Sequence, residues 1–368
     1  MILDYARLSN VPSIAMLLQE NVALAPLTTI GIGGPARYYA EVASTNALLA
    51  GVAWARTRDV PLFVLGGGSN IVIADRGFPG LVLRLRILGV ETRFDGGDVL
   101  ITAGAGEEWD SLVDQCVNQN WAGFECLSGI PGRVGATPIQ NVGAYSQETS
   151  QTLVSVEAVD LETQGLVNLS ATDCKFGYRT SRFKTRDRGR FIITRVTYRL
   201  SVDGKPAIRY PELERFLADA GIGLPTLAEV RNAVLSVRRR KAMVIDSTDP
   251  DSRSVGSFFV NPTIACDEFE QIKRRATIGA EMLDLPAFPV SDDRVKLSAA
   301  WLIERAGIKR GHVHGNVGTS TKHALAIINR GGGTAAEVIQ LMEFIQKRVL
   351  EKFGVALTPE PVFVGQNE

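Results

Sequence analysis

Glycine-rich loops that follow apolar strands, in a chain without the usual nucleotide-binding fingerprints, constrain this sequence most. Leu65-Gly66-Gly67-Gly68-Ser69-Asn70 closes a short apolar run that starts at Pro61. Glycine permits positive φ and close approach of backbone to an anion. Successive N–H groups can then form a nest for phosphate oxygens. A second stretch, Ser128 to Tyr145, carries Gly129, Gly132, Gly135 and Gly143, punctuated by Pro131 and Pro138. It offers backbone to a large planar ligand, and Gln140 and Asn141 offer donors and acceptors to a heterocycle. Taken singly, the first loop is equally a plain turn, and the second a long loop packed on itself. No Gly-x-x-x-x-Gly-Lys-Ser/Thr occurs. Gly104-Ala105-Gly106 begins like the dinucleotide fingerprint, but Trp109 stands where the third glycine belongs. Gly31-Ile32-Gly33-Gly34 leads into a strand rather than a helix. Neither meets the context of a Rossmann turn, so a bound dinucleotide requires another architecture.

Length and charge narrow the class. A chain of 368 residues exceeds one hydrophobic core, and two or three domains are expected. Forty basic and forty acidic residues cancel, which argues against a broad nucleic-acid or membrane-surface role. No apolar run approaches the roughly 18 residues that span a bilayer. Met1 to Pro12 shows no signal-peptide pattern. Cys116, Cys126, Cys174 and Cys266 form no Cys-x-x-Cys and read as reduced thiols of a cytoplasmic protein. His312, His314 and His323 lack carboxylate or cysteine partners at ligand spacing, so no metal is expected.

Strand and helix signals alternate at the start. Ala36 to Val42 predicts a strand, Asn46 to Thr57 a helix capped by Ser44, and Pro61 to Leu65 and Ile71 to Ile73 strands. Strands then dominate to about Arg199: Leu81–Leu85, Val99–Ala103, Val154–Asp160 and Phe191–Leu200. One amphipathic helix interrupts them, with Trp109, Leu112, Val113, Cys116 and Val117 at helical spacing. Pro206 to Pro225 reads as an irregular loop, and Leu227 to Lys241 as a helix. A second α/β unit follows from about Ser247, with a helix over Lys296 to Ala306 stopped by Gly307. Thr334 and Glu337 make a capping box for the last helix, which ends at Gly354. Its apolar face holds Val338, Met342, Ile345, Val349 and Phe353. Val355 to Val364 predicts a closing strand that carries Glu360 into the fold.

Three further segments hold groups suited to charge handling and proton transfer. They are Tyr178-Arg179-Thr180-Ser181, Gly256-Ser257-Phe258-Phe259-Val260-Asn261-Pro262 and Pro359-Glu360-Pro361. Alone, Arg179 is a solvated charge, Ser257 a turn residue and Glu360 a strand end. Their co-occurrence with the glycine loops is what points to a redox enzyme. Arg238 to Lys241 places four cations together, either to complement a helix C-terminus or to hold a diphosphate.

These segments, in this order, resemble the UDP-N-acetylenolpyruvoylglucosamine reductase family, also called UDP-N-acetylmuramate dehydrogenases. The resemblance runs from about Asn21 to Gly365. It also rests on Thr29-Ile30-Gly31-Ile32-Gly33-Gly34 and Ser320-Thr321-Lys322-His323-Ala324. It implies an α+β chain with an FAD-binding fold of the vanillyl-alcohol-oxidase type and a C-terminal α/β substrate domain. The expected division is residues 13–86 with 354–368 as one FAD lobe, 87–241 as the second lobe, and 242–353 over the substrate.

The resemblance further implies non-covalent FAD, NADPH as co-substrate, and reduction of UDP-N-acetylglucosamine enolpyruvate in peptidoglycan precursor synthesis. Hydride passes from NADPH to FAD and then to the enolpyruvyl methylene carbon. By the same match, Arg179 steadies the developing enolate, Ser257 protonates the adjacent carbon, and Glu360 has a stabilising or proton-relay role. The cofactor contacts implied are Gly66, Gly67, Gly68, Ser69, Asn70, Ser128, Gly129, Ile130, Pro131, Gly132, Gly135, Gln140, Asn141, Gly143, Ala144, Tyr145 and Arg179. Tyr178, Tyr210, Arg238, Lys241 and Asn261 fall to the substrate, Tyr210 on the loop that marks the family's long form. A cytoplasmic monomer is expected, with neither nucleic acid nor membrane as partner. Val362 departs from members that carry arginine two residues after the glutamate. The Asp-rich stretch before Ser257 has no role legible in the sequence.

Two other readings compete. A flavin oxidase of the same fold class would use oxygen and an alcohol. Many such enzymes attach flavin through histidine or cysteine, and neither residue lies in the two glycine loops. A UDP-sugar- or flavin-binding protein without turnover would have no need of Arg179, Ser257 and Glu360 together.

Overall fold

The computed structural model describes residues 16–276 and 285–366. The readings made for Met1 to Pro12, for 13–15 and for the last two residues lie outside them. The chain divides into two compact units. Among the described residues, one comprises those up to Ala23, Pro35–Gly68 and Phe78–Val244; the other comprises Leu24–Gly34, Ser69–Gly77 and those from Ile245 onward.

Among its described residues the first unit has two larger sheets and one short hairpin. In one, Gln19–Ala23 pairs antiparallel with Pro35–Val42, followed by Phe78–Leu85 and Leu62–Leu65 in parallel. Parallel neighbours need a crossover, which helix α1 (Thr45–Thr57) supplies. Ser44 Oγ accepts from the Ala47 amide at 3.2 Å, a cap typically worth about 1 kcal/mol. The other sheet is antiparallel, in the order Gly165–Ser170, Leu153–Asp160, Phe191–Val202, Asp98–Gly104, Val90–Asp95, with Trp121–Ala122 beside Phe191–Val202. Helix α2 (Trp109–Asn118) buries the face read from its periodicity: Trp109, Leu112, Val113, Cys116 and Val117. Trp109 packs on Phe124 and Tyr198 at ring distances of 4.8 and 5.9 Å.

Pro206 to Pro225 is not the irregular loop expected. It contains helix α3 (Pro211–Asp219), with Pro211 in its first turn and Leu213 and Leu217 buried one turn apart. Proline is preorganised for a first turn, and the leucine pair gives the helix a face to bury. That face packs on Val230, Ala233 and Val234 of helix α4 (Leu227–Arg240).

The second unit holds a sheet ordered Ser254–Ser257, Ala326–Asn329, Val317–Thr319, Val313–His314. A smaller sheet joins Thr263–Ala265, Arg294–Leu297 and Ala287–Ser291. Helix α5 (Cys266–Ala276), α6 (Ala299–Arg305) and α7 (Ala335–Phe353) accompany them. The helix expected over Lys296 to Ala306 begins later, because Arg294–Leu297 pairs as a strand. Ser298 then caps α6 through the Trp301 amide. In α7 the Thr334–Glu337 capping box forms, and Gly354 closes it at φ 75°. The closing strand is shorter than expected. Only Val362–Val364 pairs, in parallel, with Ile71–Ile73. Phe259 and Pro359 make an isolated bridge. No helix among the described residues is long and apolar enough to cross a membrane.

Candidate active site

In the first unit, the glycine loops are packed against one another. A Cβ on Gly67 would stand 2.7 Å from the Cα of Gly132, closer than side-chain carbons approach backbone. The two segments therefore meet as bare backbone. The Ser128–Gly132 segment is also pinned from outside. Trp109 donates its backbone amide to the Gly132 carbonyl and its indole N–H to the Leu127 carbonyl. Asp110 Oδ1 accepts from the Gly129 amide at 2.6 Å and from Arg231 Nη1 at 2.7 Å. Burial alone would raise the Asp110 carboxyl. The Arg231 guanidinium and the Gly129 amide outweigh it and hold the group low. Gly129 sits at φ +71°, where glycine alone is unstrained.

Arg238 touches the same loop. Its Nη2 donates to the carbonyls of Gly129 and Met243 at 3.2 and 2.7 Å. Its Nε is shut off from solvent with no hydrogen-bond partner. Burial lowers its pKa against the pull of Tyr145 and Asp110, and the charge of Arg179 lowers it further. A guanidinium with one buried N–H unanswered and only carbonyls as hydrogen-bond partners suits an incoming anion.

A second cluster forms around the Gly143–Ala144 hairpin, paired with Gln147–Glu148. Its two turn residues, Tyr145 and Ser146, have φ of 48° and 66°, the left-handed pair of a two-residue hairpin. Neither is glycine, and strained backbone of this kind clusters where function over-determines it. Arg179 occupies a similar turn at φ 54°, closed by Gly177 and Thr180. Its Nη2 donates to the Gly143 carbonyl at 2.6 Å, and its guanidinium lies 5.9 Å from the exposed Tyr178 ring. Tyr210 stands edge-on to Tyr145 at 5.3 Å. Burial pushes the Tyr145 hydroxyl well above its ordinary value. Lys241, at the end of α4, donates to Glu212.

In the glycine-rich stretch, the Ser128 and Asn141 side chains are engaged within the protein. Buried Asn141 donates to Glu148 and to the Gly177 carbonyl and accepts from the Ser150 amide. What it can offer a ligand is backbone. The Ser128 hydroxyl donates to the Glu125 carbonyl at 2.7 Å.

In the second unit, Ser257 ends a strand and follows Gly256, which has φ +77° and open space around its Cβ position. The Phe258 amide donates to the Leu325 carbonyl, and the Glu360 amide donates to the Phe258 carbonyl, both at 2.9 Å. The terminal segment thus lies directly along the serine's strand end. Asn70 joins it: the Val362 amide donates to the Asn70 carbonyl, and Asn70 Nδ2 donates to the Glu360 carbonyl at 3.4 Å. The structure therefore brings Asn70, Ser257 and Glu360 together, while Arg179, Tyr145 and Arg238 cluster in the first unit. Asn261 accepts from the Ala299 amide at the start of α6, so its oxygen is used structurally.

Sequence reasoning missed Asp110, Glu212 and Asp251. Asp251 Oδ2 accepts from Ser320 Oγ, the Thr321 amide and Thr321 Oγ1 at 2.9, 2.7 and 2.6 Å. Asp249 pairs with Lys322 at 2.7 Å. The Asp-rich stretch thus anchors the Ser320-Thr321-Lys322 turn. Each missed carboxylate answers a donor far away in sequence, and no local pattern announces that.

Comparisons with known proteins identify the family. A family profile described as UDP-N-acetylenolpyruvoylglucosamine reductase, C-terminal domain, matches residues 249–364. One described as FAD binding domain matches residues 36–170, the stretch that carries both glycine loops. The UDP-N-acetylenolpyruvoylglucosamine reductase of Thermobifida fusca is 49% identical over 351 residues, 94% of this chain and 98% of that protein. Its namesake from Saccharopolyspora erythraea is 44% identical over 93% of this chain and 94% of that one. The crystal structure of UDP-N-acetylenolpyruvylglucosamine reductase from Thermus caldophilus superposes with a TM-score of 0.63 at 24% identity. It covers 95% of this chain and 99% of that one, and it supports the fold. FAD suits the residues present: two bare-backbone loops held in contact, where a Cβ on Gly67 would strike Gly132.

Proposed function

The chain belongs to the UDP-N-acetylenolpyruvoylglucosamine reductase family, and from that premise we propose that it reduces UDP-N-acetylglucosamine enolpyruvate to UDP-N-acetylmuramate at the expense of NADPH. In peptidoglycan precursor synthesis this is a cytoplasmic step, and the enzyme acts as a monomer. Bound FAD supplies the hydride chemistry, accepting from NADPH and delivering to the enolpyruvyl methylene carbon. Residues 13–86 with 354–368, and 87–241, are assigned to holding it, and 242–353 to the substrate.

The remaining chemistry belongs to side chains. An enol ether resists hydride because negative charge builds toward its carboxylate. The fixed charge of Arg179, held by the Gly143 carbonyl, stabilises that charge without reorganising. Ser257 gives its hydroxyl proton to the carbon next to the one that receives hydride. A serine is a weak acid, so a neighbour must help. Glu360 has that part. Lys241 and Arg238 take the diphosphate, with Tyr178, Tyr210 and Asn261 around it. The observation that carries this reading is the backbone clip between Glu360 and Phe258, which keeps a carboxylate-bearing residue beside the serine's strand end.

The test is a two-stage absorption experiment on the FAD-loaded protein. NADPH should bleach the flavin band, and the enolpyruvyl substrate should restore it under anaerobic conditions. A band that returns only with oxygen would sink the proposal.

A further inference from the structure

The assignment of Lys241 to the substrate diphosphate meets a competitor already in the structure. Lys241 Nζ donates to Glu212 Oε2 at 2.5 Å. Glu212 lies in the first turn of α3, two residues after Tyr210. Helix α3 is held on α4 by Leu213 and Leu217, and the Arg240 guanidinium lies 4.9 Å from the Phe216 ring. This packing delivers the carboxylate to the cation. Glu212 also acts electrostatically on Tyr145 and Tyr210, raising both hydroxyls alongside burial. The carboxylate thus stands among the side chains assigned to nucleotide and cofactor. Half-buried Arg238, three residues before Lys241, has only carbonyls on its Nη2 and nothing on its Nε. Of these two cations, then, one is hydrogen-bonded to a carboxylate and the other only to carbonyls.

We propose that Glu212 is a built-in anion. It occupies Lys241 when substrate is absent and is displaced by the substrate's diphosphate, so it sets the affinity for nucleoside diphosphates. This rests on the proposed role of Lys241. The physical argument is an exchange of ion pairs. A lysine ammonium has three donors, but a diphosphate beside it meets the charge of Glu212 as well. Binding must therefore break or weaken the Lys241–Glu212 pair and overcome repulsion between like charges. Both side chains are partly exposed, which keeps the effect modest. A carboxylate in the first turn of α3 also favours the helix dipole. That is a stability role, and it leaves nucleotide affinity unchanged.

The sign of one measurement separates these. UDP is titrated calorimetrically into FAD-loaded wild type, Glu212→Gln, Lys241→Met and the double variant. Lys241→Met should weaken UDP binding about tenfold or more, as expected for loss of a charged hydrogen bond. Glu212→Gln should tighten it roughly two- to fivefold, and the gain should shrink in the Lys241→Met background. Should Glu212→Gln fail to fold, Glu212→Ala must move affinity the same way. If Lys241→Met weakens UDP while the Glu212 variants leave it unchanged or weaken it too, Glu212 positions the lysine rather than competing for it, and the proposal falls alone. If Lys241→Met leaves UDP affinity intact, the reading of Lys241 falls, and this inference with it.

Discussion

The Glu360 amide donates to the Phe258 carbonyl at 2.9 Å. Phe258 follows Ser257, and its own amide is fixed to Leu325. One backbone bond thus joins the last segment of the chain to the residue beside the serine. The two Phe rings that follow Ser257, Phe258 and Phe259, are buried, so the strand end cannot drift. Neither side chain, Ser257 nor Glu360, is needed for that bond. Replacing either side chain leaves that backbone bond in place.

Replacing Ser257 by Ala should therefore leave the fold and flavin content unchanged. Flavin bleaching by NADPH should stay within about twofold of wild type, while reoxidation by the enolpyruvyl substrate falls about 10²–10⁴-fold, the usual worth of a proton donor. Stopped-flow absorbance of the two half-reactions reads this directly. Equal losses in both would remove the serine from its assigned step.

Glu360→Gln keeps the shape and the backbone donor and deletes the charge. Turnover with the enolpyruvyl substrate should drop about 10²–10⁴-fold, the range for a group that assists proton transfer. The thermal midpoint should barely move. A variant that unfolds early but turns over normally once folded would make Glu360 a structural residue.

Much of this was legible because the signals were local. Ser44 and Thr334 announce helix starts by their own side chains, and the α2 face follows from spacing. The contact between the two glycine loops was visible as glycine clusters because close approach excludes a Cβ, as at Gly67. What stayed hidden depends on tertiary context. Lys296 and Leu297 have a helical look but pair as a strand with Thr263–Ala265 and Ala287–Ser291. Helix α3 was hidden by flanking prolines, although Leu213 and Leu217 bury a face. Asn141 looked like a ligand because its amide can serve one, yet the fold engages both its donors. Asp251 had no readable role because its partners lie near residue 320.

Gly67→Ala tests the cradle. The added methyl would meet the Gly132 Cα at 2.7 Å, so the two loops must part. Overpacking of this kind costs about 1–3 kcal/mol, concentrated where the flavin is expected to lie. The purified variant should fold, with a lower midpoint and a strongly reduced ratio of flavin absorbance to protein. A full complement of FAD in the variant would show that the contact between these loops is not part of the cofactor site.

Asp251 supports a prediction about pH. Burial alone would raise its carboxyl, but hydrogen bonds from Thr321 and Ser320 and the nearby Lys322 charge leave it lowered. A carboxyl that titrates lower in the folded chain than in the unfolded one stabilises the fold fully above the unfolded value, about 3.9. That stabilisation disappears as pH falls through the folded value. Asp251→Asn loses the charge and presents one carbonyl oxygen to three donors, which should cost about 1–3 kcal/mol near neutral pH. In urea unfolding, the gap between wild type and variant should be constant from pH 7 to about 5 and narrow below about 4. A gap that widened in acid would mean that Asp251 is protonated in the native protein, and that the turn at Ser320 and Thr321 is held by something else.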